Sequence, residues 1–400
     1  MRFDTVSARR RVLTAVLLAG TWCAALAIPA RAADQRGVTD TEIVIGTITD
    51  LSGVTAVQGV NNSQAIRLAF DEANAKGGIH GRKIRYIVED SQYQVPRAVQ
   101  ALNKILNLDN VFILVEDGGT PMNDANMPTQ LEHGVPNIFP LTAARSMYQP
   151  FNRLKFGMFA SYYDQMRAGI KYFVEQKGKQ RVCAMYQDTD FGRDVLAGVA
   201  EQLKAMNLQL AGQTAHKPTD TDFTAALERL RQANCDLITT GTIVRDTSLI
   251  LATARKMGWN VDFLGQFASY DTAVAEAPGG AAEGYYAMSP ALIAYPDDPR
   301  QAVQEFAKKY KARYGIAPNF LGEMGYASAE IVLLALDRAG RDLTTDSFIK
   351  ALESIKNYQD IFGSPPLSLS DTEHHGSSQA WLSVVKNGRW VPAVDHPLGY

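Results

Sequence analysis

Several features that would point to other classes of protein are scarce in this chain. Its 400 residues include three scattered cysteines, too few for a disulfide scaffold or a zinc framework. The 40 lysines and arginines nearly balance the 42 aspartates and glutamates, so no basic surface for a nucleic-acid partner is expected. Hydrophobic residues make up 46% and charged residues 20%, which is typical of a globular chain of about two to three domains.

The one long apolar run lies at the N-terminus and belongs to a segment typical of a secretory signal peptide. Three arginines at 9–11 precede the apolar residues 12–27, which are short for a membrane span, and small residues follow. We therefore predict that residues 1–33 are cleaved near Ala32 or Ala33 and that the mature chain is periplasmic. An uncleaved anchor is the alternative.

From residue 42 onward, short β-branched runs alternate with helical patterns, which predicts parallel sheets covered by helices. Two such series, over residues 43–141 and 163–264, predict two doubly wound α/β units that face a cleft at the carboxyl ends of their strands. Three helical patterns over residues 305–352 and a hairpin around Asn387-Gly388 follow. These segments either complete the two units or form a separate helical domain. The first interpretation is favoured because no flexible linker precedes them.

The sequence contains no catalytic or nucleotide-binding motif of the common kinds: no G-x-S-x-G, H-E-x-x-H, Walker A or dinucleotide fingerprint. His374 and His375 suggest a metal site, but they lie in a loop-like stretch, where a solvated turn is the favoured interpretation. Asp188, Asp190 and Asp194 lack the closing glutamate of a calcium loop. We expect no catalytic residues, no metal and no cofactor.

Cys183 and Cys235 remain after the predicted cleavage. Each lies in or beside an apolar run, which favours burial as a small hydrophobic residue. Export would also permit a bridge between them, but the sequence does not give their geometry.

Several segments occur together in an order that resembles a known family. They are 51–53 after the opening strand, 73–83 with its Lys-Gly-Gly-Ile sequence, 188–192, 221–224 and the strand at Leu237. Together they resemble the periplasmic branched-chain amino-acid-binding proteins, the type I solute-binding proteins of ABC importers. The resemblance runs from about Val38 to the C-terminus and implies two α/β lobes joined by three crossovers. Lobe 1 would comprise residues 34–156 plus 288–361, and lobe 2 residues 157–287 plus 362–400.

The resemblance also implies a ligand-binding site. Thr120 corresponds to the residue that holds the ligand carboxylate, and it is also a candidate cap of the following helix. Phe191 corresponds to an aromatic cover on lobe 2, whereas Gln58 and Ile243 stand where tyrosines are expected. The family's usual hydroxyl after the fourth strand falls on Ala143. The full set of candidate ligand-binding residues is Ser52, Gln58, Asp117, Gly119, Thr120, Leu141, Thr142, Ala143, Tyr162, Phe191, Ile243 and Phe267.

Phe267 is the most informative departure from the family pattern, because an acidic residue that pairs with the ligand ammonium is expected there. Burying an ammonium without a partner costs several kcal/mol. An amine-free aromatic or other apolar carboxylate is therefore the favoured ligand, with a branched-chain amino acid next. The expected walls are Phe159, Tyr162, Phe191, Phe267 and Tyr270. Asp117 or Asp246 could still supply the missing charge for an amine-bearing ligand.

The expected function is that of an extracytoplasmic solute-binding protein, not an enzyme. It would deliver a small carboxylate to the membrane permease of an ABC importer, acting as a monomer and closing about hinges near Phe156, Met288 and Phe362. The alternative is a sensor of the same fold that signals occupancy without transport.

Overall fold

The computed structural model describes residues 35–400, so the predicted signal peptide lies outside the described residues. Two β-sheets organise this part of the chain. The first is parallel, with strand order β2-β1-β3-β4-β5. Its elements, in chain order, are β1 (Glu42–Thr49), α1 (Ala56–Ala75), β2 (Lys83–Asp90), α2 (Val95–Lys104), a π-helical turn (Ile105–Asp109), β3 (Ile113–Val115), α3 (Thr120–Glu132), β4 (Asn137–Ile138) and β5 (Lys155–Phe156).

The second sheet has seven strands in the order β12-β11-β10-β9-β8-β6-β7, with β11 antiparallel to both of its neighbours. Its elements are α4 (Tyr162–Lys177), β6 (Val182–Gln187), α5 (Asp190–Ala205), β7 (Gly212–His216), α6 (Thr224–Gln232), β8 (Leu237–Gly241), α7 (Val244–Lys256), β9 (Asp262–Gly265), α8 (Thr272–Ala275), β10 (Tyr286–Ser289), β11 (Trp381–Lys386) and β12 (Arg389–Pro392). The predicted fold class, two doubly wound α/β lobes, is confirmed.

Burial explains why the strands differ in composition. The central strand β1 is buried along nearly its whole length and is correspondingly apolar, whereas the edge strand β2 alternates exposed and buried residues in its first half. The fourth strand ends at Ile138, earlier than its apolar sequence suggests. Phe139 follows with a φ of 50° and Pro140 has no N–H to donate, so the regular strand is interrupted there, and only an isolated bridge between Leu141 and Gly118 follows.

The three C-terminal helices, α9 (Gln301–Tyr314), α10 (Phe320–Ala339) and α11 (Thr345–Glu353), belong to the first unit. Helix α10 packs along α1, where Asn62 Nδ2 donates to Leu321 O at 3.1 Å. Tyr310 Oη on α9 donates to Asn61 Oδ1 at 3.0 Å. These contacts join the helices to the first lobe and leave no separate domain in the described part of the chain.

The chain passes between the two lobes three times: after β5, after β10 and after α11. The first and third crossovers are hydrogen-bonded to each other, because Gly157 N donates to His374 O at 2.9 Å and Gly376 N donates to Gly157 O at 3.0 Å. The lobe boundaries inferred from the resemblance stay a prediction. No helix within residues 35–400 is long and apolar enough to cross a membrane.

The expectation of a solvated turn at His374 and His375 is wrong. His374 is buried and stacks on Phe156, and His375 stacks on Tyr148. They lie at a crossover packed between the lobes, which a loop-like sequence does not reveal. Within residues 35–400, no cluster of side chains suited to a metal ion is found.

The favoured interpretation of the two cysteines is right about their burial, but the bridge that the sequence left open is present. Cys183 on β6 and Cys235, just before β8, are buried as expected but form a disulfide, with their Cα atoms 5.8 Å apart. Neighbouring parallel strands bring them together, since Cys183 pairs with Ile238 in the sheet.

Candidate functional site

A pocket lies between the lobes at the carboxyl ends of their strands. This is where doubly wound sheets bind ligands. The first lobe contributes the N-terminus of α1 and the loops after β1 to β4, and the second lobe contributes α4, α5 and the loops after β8 and β9. The lining residues are Thr49, Thr55, Gln58, Gly59, Tyr93, Gly118, Gly119, Thr120, Leu141, Tyr162, Phe191, Ile243, Phe267, Ala268 and Leu321.

The lining carries no formal charge. It includes no aspartate, glutamate, lysine, arginine or histidine from residues 35–400. Burial raises the pKa of Tyr162 to about 12 and that of Tyr93 further, so both phenols stay neutral at physiological pH. Hydroxyls, one amide and backbone groups are therefore the polar partners that a ligand meets.

Hydrogen-bond donors gather at one end of the pocket, where α3 begins. The first hydrogen bond of the helix runs from Asn123 N to Gly119 O at 3.1 Å. The N–H groups of Thr120 and Met122 therefore have no intrahelical partner. Gly119 lines the pocket with a φ of 84°, a backbone conformation that residues with a side chain rarely adopt. This end suits a carboxylate, which the helix dipole also favours.

Thr120 differs in one respect from the expectation that it caps α3. It is the first helical residue, Gly119 stands at the cap position, and no side chain caps the helix there. The Thr120 hydroxyl instead lies 2.6 Å from the Thr142 hydroxyl. Thr142 thereby fixes the orientation of the Thr120 hydroxyl.

Aromatic side chains form the wall on the second lobe. The rings of Tyr162 and Phe191 meet edge to face, with centroids 4.9 Å apart. Phe267 follows β9 and lies between Phe159, at 4.7 Å, and Phe320, at 6.0 Å. The wall is thus a fixed apolar surface, because each ring is held by another.

Eight of the twelve candidate residues line the pocket: Gln58, Gly119, Thr120, Leu141, Tyr162, Phe191, Ile243 and Phe267. The other four lie outside it. Ser52 Oγ donates to Asp90 Oδ2 at 2.6 Å near the surface. Thr142 and Ala143 lie behind the lining, where Ala143 O accepts a hydrogen bond from Tyr162 N at 2.7 Å. Whether each residue contacts a ligand stays a prediction.

The two acids considered as ammonium partners lie outside the lining. Asp117 is buried, and its Oδ1 accepts a hydrogen bond from Ile48 N at 2.7 Å. Asp246 already has two partners. Its Oδ1 lies 2.6 Å from Arg245 Nη2, and its Oδ2 lies 3.2 Å from His216 Nε2. Burial raises the pKa of Asp117 to about 8, so its carboxyl is largely protonated at neutral pH.

Seven lining residues were not among the candidates: Thr49, Thr55, Gly59, Tyr93, Gly118, Ala268 and Leu321. Three of them directly neighbour a candidate in sequence, since Gly59, Gly118 and Ala268 adjoin Gln58, Gly119 and Phe267. Tyr93 lies in a loop with a φ of 53°, and Leu321 reaches the pocket from the C-terminal helix α10. Neither of these positions has a local sequence pattern that indicates a ligand.

Contacts between the lobes surround the pocket. Arg145 Nε, after β4, donates to Asp194 Oδ1 on α5 at 2.7 Å. Gln58 Nε2 on α1 approaches Ala268 O to 3.5 Å. Such contacts join the two lobes around the pocket in the described conformation.

This two-lobed fold with its cleft agrees with the comparisons to known proteins. The sequence pattern of the periplasmic binding protein family matches residues 42–389, and the chain belongs to this family. The leucine-specific-binding protein of Salmonella typhimurium is 26% identical over 288 residues, which cover 71% of this chain and 76% of that protein.

Solved structures show the same fold. A branched-chain amino acid ABC transporter protein from Thermus thermophilus with bound valine matches with a TM-score of 0.82 at 19% identity, covering 91% of this chain and 98% of that one. A fatty acid ABC transporter substrate-binding protein from Thermomonospora curvata matches with a TM-score of 0.79 at 23% identity, covering 91% and 94%.

The predicted family is therefore confirmed, as is the expectation of a solute-binding protein rather than an enzyme. The family is periplasmic, in agreement with the predicted location. The cleavage site near Ala32 or Ala33 stays a prediction.

Proposed function

We propose that this protein binds an amine-free apolar carboxylate, preferably an aromatic one, and delivers it to the membrane permease of an ABC importer. The observation that carries the proposal is the uncharged lining, with Phe267 on the second lobe. An α-amino acid would bring a buried ammonium beside this ring, without an anionic partner.

The electrostatics behind the lining favour an anion more than a zwitterion. At neutral pH a largely protonated Asp117 does not repel a carboxylate bound near Thr120. Glu116 lies next to it, fully buried, and burial raises its pKa to about 8 as well. The Thr120 hydroxyl and the first N–H groups of α3 would supply the hydrogen bonds of the carboxylate.

The rest of the ligand would meet apolar surface. Leu141 and Leu321 face it from the first lobe, and Phe191, Ile243 and Phe267 from the second. Flat rings gain edge-to-face contacts in such surroundings, which is the reason to prefer an aromatic acid. The Thermomonospora curvata protein, named for fatty acids, is an example of this fold associated with an apolar carboxylate.

Delivery to an importer is proposed from the relatives, because both structural neighbours described above are named as parts of ABC transporters. Closure of the lobes over the ligand would give the permease two states to distinguish.

The proposal is tested by replacing Phe267 with glutamate, with Phe267→Leu as the control that keeps the site apolar. Affinities of 3-phenylpropanoate and phenylalanine, which differ only in the α-amine, are measured by calorimetry. Phe267→Glu should move the preference towards phenylalanine by at least about tenfold, while Phe267→Leu should not. Equal ratios in all three proteins would refute the proposed role of Phe267.

A further inference from the structure

A fully buried glutamine lies behind the aromatic wall and joins it to a crossover. Gln165 is on the first turn of α4, with 0% of its surface exposed. Its Nε2 donates to Ala160 O at 2.7 Å, and its Oε1 accepts a hydrogen bond from Phe267 N at 2.9 Å. One side chain therefore connects the first crossover to the residue on which the proposed selectivity rests.

The loop that carries Phe267 has two further attachments. Gln266 Nε2 donates to Thr242 O at 3.0 Å, which fixes the loop to the end of β8. The Phe267 ring contacts that of Phe159, which lies on the first crossover beside Ala160. The attachment by Gln266 stays within the second lobe, whereas those by Gln165 and Phe159 reach the crossover.

We propose that Gln165 is a positioning residue that sets the place of Phe267 against the ligand and links that place to the first crossover. The inference rests on the proposed function. Without Gln165, the Phe267 N–H and the Ala160 carbonyl would both be buried without a partner, so the backbone of each would shift to find one. A shift of Phe267 changes the contact with a flat ring more than the contact with a small branched chain.

The test compares Gln165→Met, which keeps the volume and removes both hydrogen bonds, with Gln165→Glu, whose carboxyl, kept protonated by full burial, still accepts from Phe267 N and donates to Ala160 O. Gln202→Met is the matched control, because Gln202 is also a buried glutamine on a helix of the second lobe and bonds Arg167 instead. Gln165→Asn, too short to span both partners, serves if Gln165→Met does not fold. The probes are 3-phenylpropanoate, 4-methylpentanoate and leucine, titrated by calorimetry.

Gln165→Met should weaken 3-phenylpropanoate about tenfold and 4-methylpentanoate about threefold or less, so that their affinity ratio changes. Gln165→Glu and Gln202→Met should keep the ratio of the unsubstituted protein. If Gln165→Met lowers only the unfolding temperature, or weakens all three probes by one factor, the role is structural and the inference is overturned. A preference of the unsubstituted protein for leucine would instead overturn the proposed function. The effect of Gln165→Met would then still be judged from the change in the affinity ratios among the three probes.

Discussion

Arg145 and Asp194 form an ion pair across the cleft, with Arg145 Nε 2.7 Å from Asp194 Oδ1. The backbone N–H of Arg145 also donates to Asp194 Oδ2 at 3.2 Å. Arg145 follows β4 in the first lobe, and Asp194 lies on α5 in the second. The pair is partly shielded from solvent, because 11% of the aspartate side chain and 32% of the arginine side chain are exposed. It is thus a contact that joins the two lobes beside the pocket.

Asp194→Ala should weaken ligand binding about three- to tenfold, because an ion pair that joins the lobes across the cleft contributes to the affinity for any ligand that holds the lobes together. Asp188→Ala is the matched control: Asp188 pairs with Arg193, at 2.8 Å, within the same lobe. Titration of both variants with 3-phenylpropanoate measures the effect. An unchanged affinity in Asp194→Ala would show that the pair does not stabilise the ligand-bound state.

Thr120→Val removes the hydroxyl next to the N-terminus of α3 while keeping the shape of the side chain. A hydrogen bond to a charged group contributes about 1.5–3 kcal/mol, so the affinity for a carboxylate should fall at least about tenfold. Thr120→Ser keeps the hydroxyl and should bind nearly as well as the unsubstituted protein. Equal affinities for Thr120→Val and Thr120→Ser would place the ligand carboxylate elsewhere.

Stability should fall as the pH rises towards 8, because of the buried acids behind the pocket. Burial raises the pKa of Glu116 to about 8 from an ordinary value of 4.5, so the folded protein retains a proton that the unfolded chain releases. This contribution to stability is fully present below the pKa of Glu116 in the unfolded chain. It is lost as the pH rises through the pKa of Glu116 in the folded protein.

Glu116→Gln cannot ionise, so it should lose less stability than the unsubstituted protein between about pH 5 and about pH 8. Urea unfolding at the two pH values measures the difference. Glu201→Gln, at an exposed position, is the control and should keep the original pH dependence. A pH dependence that is the same with and without Glu116 would show that this carboxyl does not hold a proton in the folded state.

The disulfide should stabilise the fold without changing the affinity for the ligand. Cys183 lies near the amino end of β6 and Cys235 just before β8, at the opposite ends of these strands from the pocket. Replacing both with alanine removes a crosslink between residues that are 52 positions apart, and it should lower the free energy of unfolding by about 2–4 kcal/mol. Urea unfolding and ligand titration separate the two effects. A large loss of affinity at unchanged stability would contradict this assignment.

The sequence predicted the strands and helices well where burial imposes a simple pattern. The apolar run of β1 and the alternation of strands and helices are direct consequences of a sheet covered on both faces. The C-terminal helices were assigned to the two units only indirectly, from the lack of a linker before them and from the family resemblance, because nothing local shows that α10 packs on α1.

The pocket was predictable only in part, for a related reason. Thr120, Phe191 and Phe267 follow strands or begin helices at the cleft, so their positions follow from the topology. Tyr93 reaches the pocket from a loop in which its own φ is positive, and Leu321 from the C-terminal helix α10. The disulfide between Cys183 and Cys235 likewise depends on which strands are neighbours in the sheet. Such contacts join residues distant in sequence, and no local pattern specifies them.

The pocket lining described above offers no anionic partner to an α-ammonium. A calorimetric titration of the unsubstituted mature protein with leucine and with 4-methylpentanoate, which has the same carbon skeleton without the amine, tests the consequence for the ligand. We expect 4-methylpentanoate to bind more tightly, by about tenfold or more, because only leucine must bury an unpaired charge. Tighter binding of leucine would refute the proposed ligand class and would require an ammonium partner within the cleft.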